Sequence, residues 1–272
     1  MTYQLLVLDV DGTVLDSHHQ LRPRVAAAIR GAPSAGLPVA LATGKMLRSV
    51  APLLTELELR GPQITLNGAA LVDASSGRPL RFKPLREDDR RDIIQAVRHV
   101  DPTVLVSHFA LDGIYVDEEH PLLSILVAYG EPASNRVPTL LADGLPPAGK
   151  ILLSGKPEQL AALRVALTPE LGDRVTITTT TPDFLEFFDP LAGKGLALAA
   201  LRDELAIPRE TIIAIGDGEN DIPLFREAGL AVAMGNAGPA ARAAAQQIIP
   251  SNDEEGVAEF LEELLGIQIP AQ

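Results

Sequence analysis

The sequence predicts an α/β protein: a parallel sheet with crossover helices, into which a separate α+β segment is inserted. Near-continuous apolar runs alternate with helical stretches over residues 3–69 and again over 194–265, the pattern of strands buried on both faces. Between these halves the strand candidates are short and their faces alternate, as in a sheet with only one face in a core. Polar clusters also follow several of the apolar runs, and open parallel sheets bind ligands outside the carboxyl ends of their strands.

In order, YQLLVLD (3–9) reads as a strand and RPRVAAAIRGA (22–32) as a helix stopped near Pro33. LPVALAT (37–43) is the second strand, 45–57 a helix with a candidate kink at Pro52, and QITLNGA (63–69) a third strand ending in a turn. The middle offers strands at 78–84, 103–109, 113–117, 149–155, 173–180 and 183–190 around amphipathic helices at 87–99 and 157–168. The Pro-rich stretch 137–149 reads as a loop inside it. The last part reads as helix 194–205, strand 210–217, helix 220–228, strand 230–235, and helices 238–246 and 255–265.

At 272 residues and 46% hydrophobic, the chain can form one large domain or two smaller ones and bury roughly three-quarters of its unfolded surface. It has no cysteine, which excludes disulfides, thiol catalysis and cysteine-ligated metal. No basic region with a following apolar signal segment opens it, and no apolar run reaches the roughly 18 residues of a membrane span, so a soluble, cytoplasmic protein without a membrane partner is expected. A net charge of −13 without a basic block argues against nucleic acid but not against an anionic substrate, because local lysines and a metal can override the global field. The five histidines lack zinc-ligand spacing, and His18 and His19 are expected in an exposed loop.

LLVLDVDGTVLD (5–16) ends an apolar strand in Asp9 and Asp11, followed by Gly12. Crowding two carboxylates there is costly unless a cation or a reaction compensates. Thr43 follows the second strand, Lys194 opens the helix after the insert, and Asp217, Asn220 and Asp221 follow IIAIG. Singly, these could be a turn, a helix cap or a solvated lysine. Together they supply carboxylates, a hydroxyl and a lysine, a set suited to a hard divalent cation and a phosphoryl group. TGK (43–45) is not a Walker A loop, because Val39 and Met46 stand where that motif needs Gly and Ser or Thr.

DVDGT (9–13), ATG (42–44), GKG (193–195) and GDGEND (216–221) resemble, in order, the four motifs of the haloacid dehalogenase (HAD) superfamily. ITLNGA, FLEFFDPLAGKG and AVAMGNA further resemble its Cof-like sugar-phosphate phosphatases. About 31 residues separate Asp11 from Thr43, room for one helical crossover and no cap. The resemblance implies a Rossmann-like core of residues 1–81 and 190–272 and an α+β cap at 82–189, between the second and third motifs, that selects substrate. It implies a Mg²⁺-dependent phosphatase of small-molecule phosphate esters, sugar phosphates foremost, working through an aspartyl-phosphate. Asp9 would be the nucleophile and Asp11 the general acid and base. Thr43, Gly44, Lys194 and Asn220 would bind phosphate. Asp9, Asp217, the Asp11 backbone carbonyl and Asp221 form the implied metal group, with Asn220 and Asp221 orienting it from the edge. Lys45 stands where the subfamily usually has arginine, keeping the charge but losing the planar fork.

A phosphomutase shares this resemblance and differs in the fate of the phosphoryl group. A phosphoacceptor signalling protein would place its aspartate after the third strand and be about half as long. Specificity is expected in the insert, where Lys150 and Thr178–Thr181 are either lining residues or ordinary strand positions. The sequence carries no signature of an oligomeric state.

Overall fold

In the computed structural model, which describes residues 2–266, the chain begins with β1 (Leu5–Leu8), α1 (Pro23–Ser34), β2 (Val39–Leu41) and α2 (Leu47–Glu56). β3 (Pro62–Thr65), β4 (Ala70–Asp73) and β5 (Pro79–Phe82) follow. Next come α3 (Glu87–Val100), β6 (Leu105–Phe109), β7 (Ile114–Val116), α4 (Leu123–Ala128) and β8 (Asn135–Arg136). β9 (Lys150–Ser154), α5 (Pro157–Leu171), β10 (Thr176–Thr181) and β11 (Phe184–Phe188) complete the middle. The remaining described elements are α6 (Lys194–Leu205), β12 (Ile212–Gly216), α7 (Ile222–Arg226), β13 (Leu230–Ala233), α8 (Pro239–Ala244), β14 (Gln247–Ile248) and α9 (Gly256–Leu265). Met1 and residues 267–272, which the expected core segments include, lie outside the described residues.

The fold is α/β, with a Rossmann-like core. Its parallel sheet has the order β14-β13-β12-β1-β2, with Leu5 opposite Ile212 and Leu6 opposite Val39. Alternation across β1 explains its unbroken apolar run. Leu6 and Leu8 face α1, α2 and α9 through Ile29, Val50 and Leu261, while Leu5 and Val7 face α6 and α7 through Leu198 and Leu224. Each such fully buried side chain contributes about 1.5–3 kcal/mol of transfer free energy.

An Ala42–Ile64 bridge links the core sheet to a three-stranded antiparallel sheet, β3-β4-β5. The strand read at 78–84 therefore pairs with β4 (Ala70 opposite Phe82) and not with the strands of the insert. The third strand stops at Thr65, short of the expected residue 69, because Leu66 and Asn67 turn into the left-handed region at φ 52° and 53°. The helix expected over 45–57 starts only at Leu47, since Thr43 Oγ1 accepts the Lys45 N–H at 3.1 Å and holds 43–46 as a loop.

The middle segment forms a six-stranded sheet, β10-β11-β9-β6-β7-β8. Its period-two pattern separates two faces. Val106, Ile151, Leu153, Leu185 and Phe187 pack under α3 and α5, while Leu105, Phe109, Leu152, Phe184 and Phe188 share a cluster with Met46 and Leu66 of the core loops. Lys150 and Glu186 fall on this second face by the same alternation. The short α4, β4, β8 and β14 were not anticipated; two-residue strands carry no period to read. Among the described residues no helix is long and apolar enough to cross a membrane.

Candidate active site

β1 delivers Asp9 to the carboxyl end of the sheet, where its N–H continues the ladder to the Ile215 carbonyl at 2.9 Å. The chain then turns sharply: the N–H groups of Thr13, Val14 and Leu15 all point to the Val10 carbonyl. Gly12 is required here. It sits at φ +80°, and a Cβ would lie 2.4 Å from the Asp217 carboxylate. Thr13 donates its hydroxyl to that carboxylate at 3.2 Å, tying the first loop to the one after β12.

Lys194, at the start of α6, is fully buried and donates to Asp9 Oδ1 at 2.7 Å and Asp221 Oδ1 at 2.6 Å. Asp221 is buried too, and its other oxygen accepts the N–H groups of Asp217 (3.0 Å) and Gly218 (2.9 Å). Asp221 thereby shapes the loop after β12. Thr43 is buried at the end of β2, its N–H on the Ile64 carbonyl and its own carbonyl on the Asn67 N–H. The Gly44 carbonyl accepts Lys150 Nζ at 2.7 Å.

A cavity opens over these groups, with Asp9, Asp11, Gly44, Asp217 and Asn220 in its wall. Thr43, Lys194 and Asp221 sit buried around it, so the residues singled out in the four motifs gather at one place. Lys150, Thr180 and Thr181 also line the cavity, whereas Thr178 faces the neighbouring one.

Several contacts had no sequence signal. His19 lies on an exposed loop, as expected, yet its Nδ1 is 3.5 Å from Asp11 Oδ1, and its ring stands edge-on to Tyr129 at 4.9 Å between centroids. Lys45 pairs with the same Asp11 oxygen at 3.1 Å and donates to the Tyr129 carbonyl. Asn67 bridges Asn220 (3.0 Å) and Glu186, and Glu186 in turn pairs with Lys150 at 3.0 Å. Glu186 could have been found: in FLEFF it alternates with Phe184 and Phe188 on one strand face.

The electrostatics divide the carboxylates. Burial, with the Asp221 charge second, raises Asp9 well above the ordinary carboxylate range. The same causes push Asp217 up to about 7. Burial would also raise Asp11, but the nearby His19 imidazole and the Lys45 ammonium outweigh it and hold Asp11 low. Burial opposes the charge on Lys194, yet Asp221 and Asp9 keep it protonated. Oxygens of Asp9, Asp217 and Asp221 lie within 4.8 Å of one another, and Lys194 pairs with Asp9 and Asp221. An oxygen-only set with more negative than positive charge fits a hard divalent cation.

A parallel α/β core carrying paired carboxylates at the end of its first strand, over a buried lysine, has the layout of an enzyme active site. The profile of the haloacid dehalogenase-like hydrolases matches residues 6–261. The chain is 28% identical over 267 residues to an HMP-PP phosphatase of Serratia proteamaculans, covering 97% of this chain and 96% of that protein. It is 27% identical over 274 residues to the 5-amino-6-(5-phospho-D-ribitylamino)uracil phosphatase YitU of Bacillus subtilis, covering 97% and 98%. A crystal structure of a haloacid dehalogenase-like hydrolase from Bacteroides thetaiotaomicron superposes with a TM-score of 0.85 at 27% identity, covering 97% of this chain and all of that one. The chain also aligns at 28% identity with a chloroplastic endoribonuclease YBEY of Arabidopsis thaliana, spanning 46% of that protein's length. The chain belongs to the haloacid dehalogenase-like hydrolases, in the Cof-like group, and it is a phosphatase.

Proposed function

We propose that the protein is a Mg²⁺-dependent phosphatase of small phosphorylated metabolites, with sugar phosphates as its substrate class, acting through an aspartyl-phosphate on Asp9. The observation that carries this reading is the pairing of Asp9, fixed by Lys194 at 2.7 Å, with an Asp11 that faces the same cavity from a different electrostatic setting. An Asp9 carboxylate oxygen attacks phosphorus, the bond to the leaving oxygen breaks, and Asp11 protonates that oxygen. Water then attacks phosphorus, Asp11 takes its proton, and Asp9 is released with inorganic phosphate.

Asp11 is held ionised by Lys45 and His19, the state needed for the second step. Thr43, Gly44 and Asn220 orient the phosphoryl oxygens, and Lys194 offsets their charge as the five-coordinate state forms. A divalent cation held by Asp9, Asp217 and the Asp11 carbonyl, with Asp221 supporting the loop, supplies charge neutralisation for carboxylates that otherwise resist ionising together. In this reading residues 82–189 act as a cap that excludes water and selects the leaving group.

The test is phosphate release from an aryl phosphate with and without Mg²⁺, paired with trapping of labelled phospho-enzyme in the wild type and in Asp9→Asn. Metal-dependent release, with label lost in the variant, supports the reading. Full activity in excess chelator after metal removal, or label retained by Asp9→Asn, overturns it.

A further inference from the structure

The part of the cavity away from Asp9 is not used by the phosphoryl chemistry. Its wall includes Tyr129, Glu131, Thr181 and Phe184, contributed by the middle segment. Tyr129 and Phe184 form an apolar side, with ring centroids 4.7 Å apart. Two lysines face the cavity, and both are engaged. Lys45 holds Asp11 and the Tyr129 carbonyl, while Lys150 holds the Gly44 carbonyl and Glu186. Each is already paired with a carboxylate, so neither brings an uncompensated positive charge to a second anionic group.

Acceptors, by contrast, have capacity to spare. Glu131 takes the Ser49 hydroxyl on Oε2, and among the described residues no lysine or arginine forms an ion pair with it. Burial raises its pKa, while Lys150 and Lys45 act on it only at longer range. Thr181 Oγ1 is buried with no hydrogen-bond partner. A buried polar atom without a partner is costly, and one at a cavity wall is satisfied by a ligand that fits.

We propose that Glu131 and Thr181 determine specificity, and that they read a leaving group that is uncharged and carries adjacent hydroxyls, excluding one with a second phosphate or a carboxylate. This rests on the phosphatase reading above. A carboxylate accepts from two neighbouring hydroxyls at once, the Thr181 hydroxyl supplies a further donor or acceptor, and the Tyr129–Phe184 side receives the C–H face of a ring. A second anion in the same place meets Glu131 and Glu186, with both lysines already committed. Such a site rejects the wrong analogue by leaving buried charges uncompensated.

The experiment compares kcat/KM of the Mg²⁺-loaded enzyme on p-nitrophenyl phosphate, a hexose 6-phosphate, a hexose 1,6-bisphosphate and a phosphorylated sugar acid. The wild type should favour the hexose monophosphate at least about tenfold over both doubly anionic sugars. Glu131→Gln should lower the ratio of hexose to aryl kcat/KM by about ten- to a hundredfold, mostly through KM, and Thr181→Val by about three- to tenfold. Glu131→Lys should shift preference toward the sugar acid.

A wild type that favours either doubly anionic sugar overturns the proposal, and this arm needs no variant to fold. Equal losses on aryl and hexose substrates in Glu131→Gln also overturn it, since they mark a structural role. Failure to hydrolyse even the aryl phosphate strikes instead at the phosphatase reading.

Discussion

Raising the pH of the metal-free protein from 4 to 8 titrates the acidic centre directly, and the sign of its effect on stability follows from the site. Burial and the Asp221 charge push Asp217 up to about 7 in the folded protein, against 3.8 for the free side chain. Between these values the folded state holds a proton that the unfolded state has lost, so stability falls as pH rises and the loss is complete above the folded pKa. A gap of about three pH units at 1.36 kcal/mol each sets a ceiling of about 4 kcal/mol. Asp9, also raised, adds in the same direction.

His108 opposes this over part of the range. Burial lowers it to about 4, so the folded protein gains stability as pH rises from there toward 6.5. The informative quantity is therefore the difference between wild type and Asp217→Asn, in which His108 cancels. Urea unfolding in chelator should show the Asn variant gaining on the wild type between pH 4.5 and 8, by up to about 3 kcal/mol. On the proposed metal reading, saturating Mg²⁺ should reverse the order at pH 8, because only the wild type would keep the Asp217 carboxylate for the ion. A difference that does not change with pH, or an Asn variant that loses ground in chelator as pH rises, refutes the reasoning.

Asp11→Asn should slow turnover by roughly 10²–10⁴-fold, with a smaller loss on esters of acidic leaving groups; steady-state kinetics across an aryl phosphate series checks this. Glu186→Ala strips a buried partner from Lys150 and from Asn67, and should cost about 3–5 kcal/mol in urea unfolding. Gly68→Ala places a Cβ 2.2 Å from the Gly193 carbonyl at φ +89° and should cost about 3 kcal/mol, with a lower urea midpoint and reduced activity. An unchanged midpoint would contradict that geometry.

What could be read from the sequence was local. LLVLD announces a doubly covered strand with carboxylates at its mouth, and IIAIGD repeats the message, because burial on both faces leaves an unbroken apolar run. The contacts that were hidden depend on register across long separations. Nothing near Lys45 in sequence indicates Tyr129, 84 residues on, and nothing near Asn67 indicates Glu186, 119 residues on. The partner of strand 78–84 was hidden for the same reason: a short strand shows its faces but not its neighbour. Leu66 and Asn67 adopt left-handed backbone, which Asn often tolerates and Leu seldom does, so the early end of β3 had only half a signal.

The order of the strands has a consequence for how the protein is made. β1 is an interior strand of the core sheet, yet one neighbour, β12, lies about two hundred residues later, and α1 is clasped by α9 through Arg24 and Glu262, 238 residues apart. Asp9 meets Lys194 across 185 residues. The six-stranded sheet, by contrast, draws all its strands from one continuous stretch, Leu105–Phe188. During synthesis that sheet can close while the first strand still waits for its neighbour to leave the ribosome. The apolar LLVL segment is thus without its β12 neighbour until that strand has been made. Asp9 and Asp11 behind it are charges of the kind that keep such a segment from associating, and the site Asp9 shares with Lys194 can assemble only after α6 has been made.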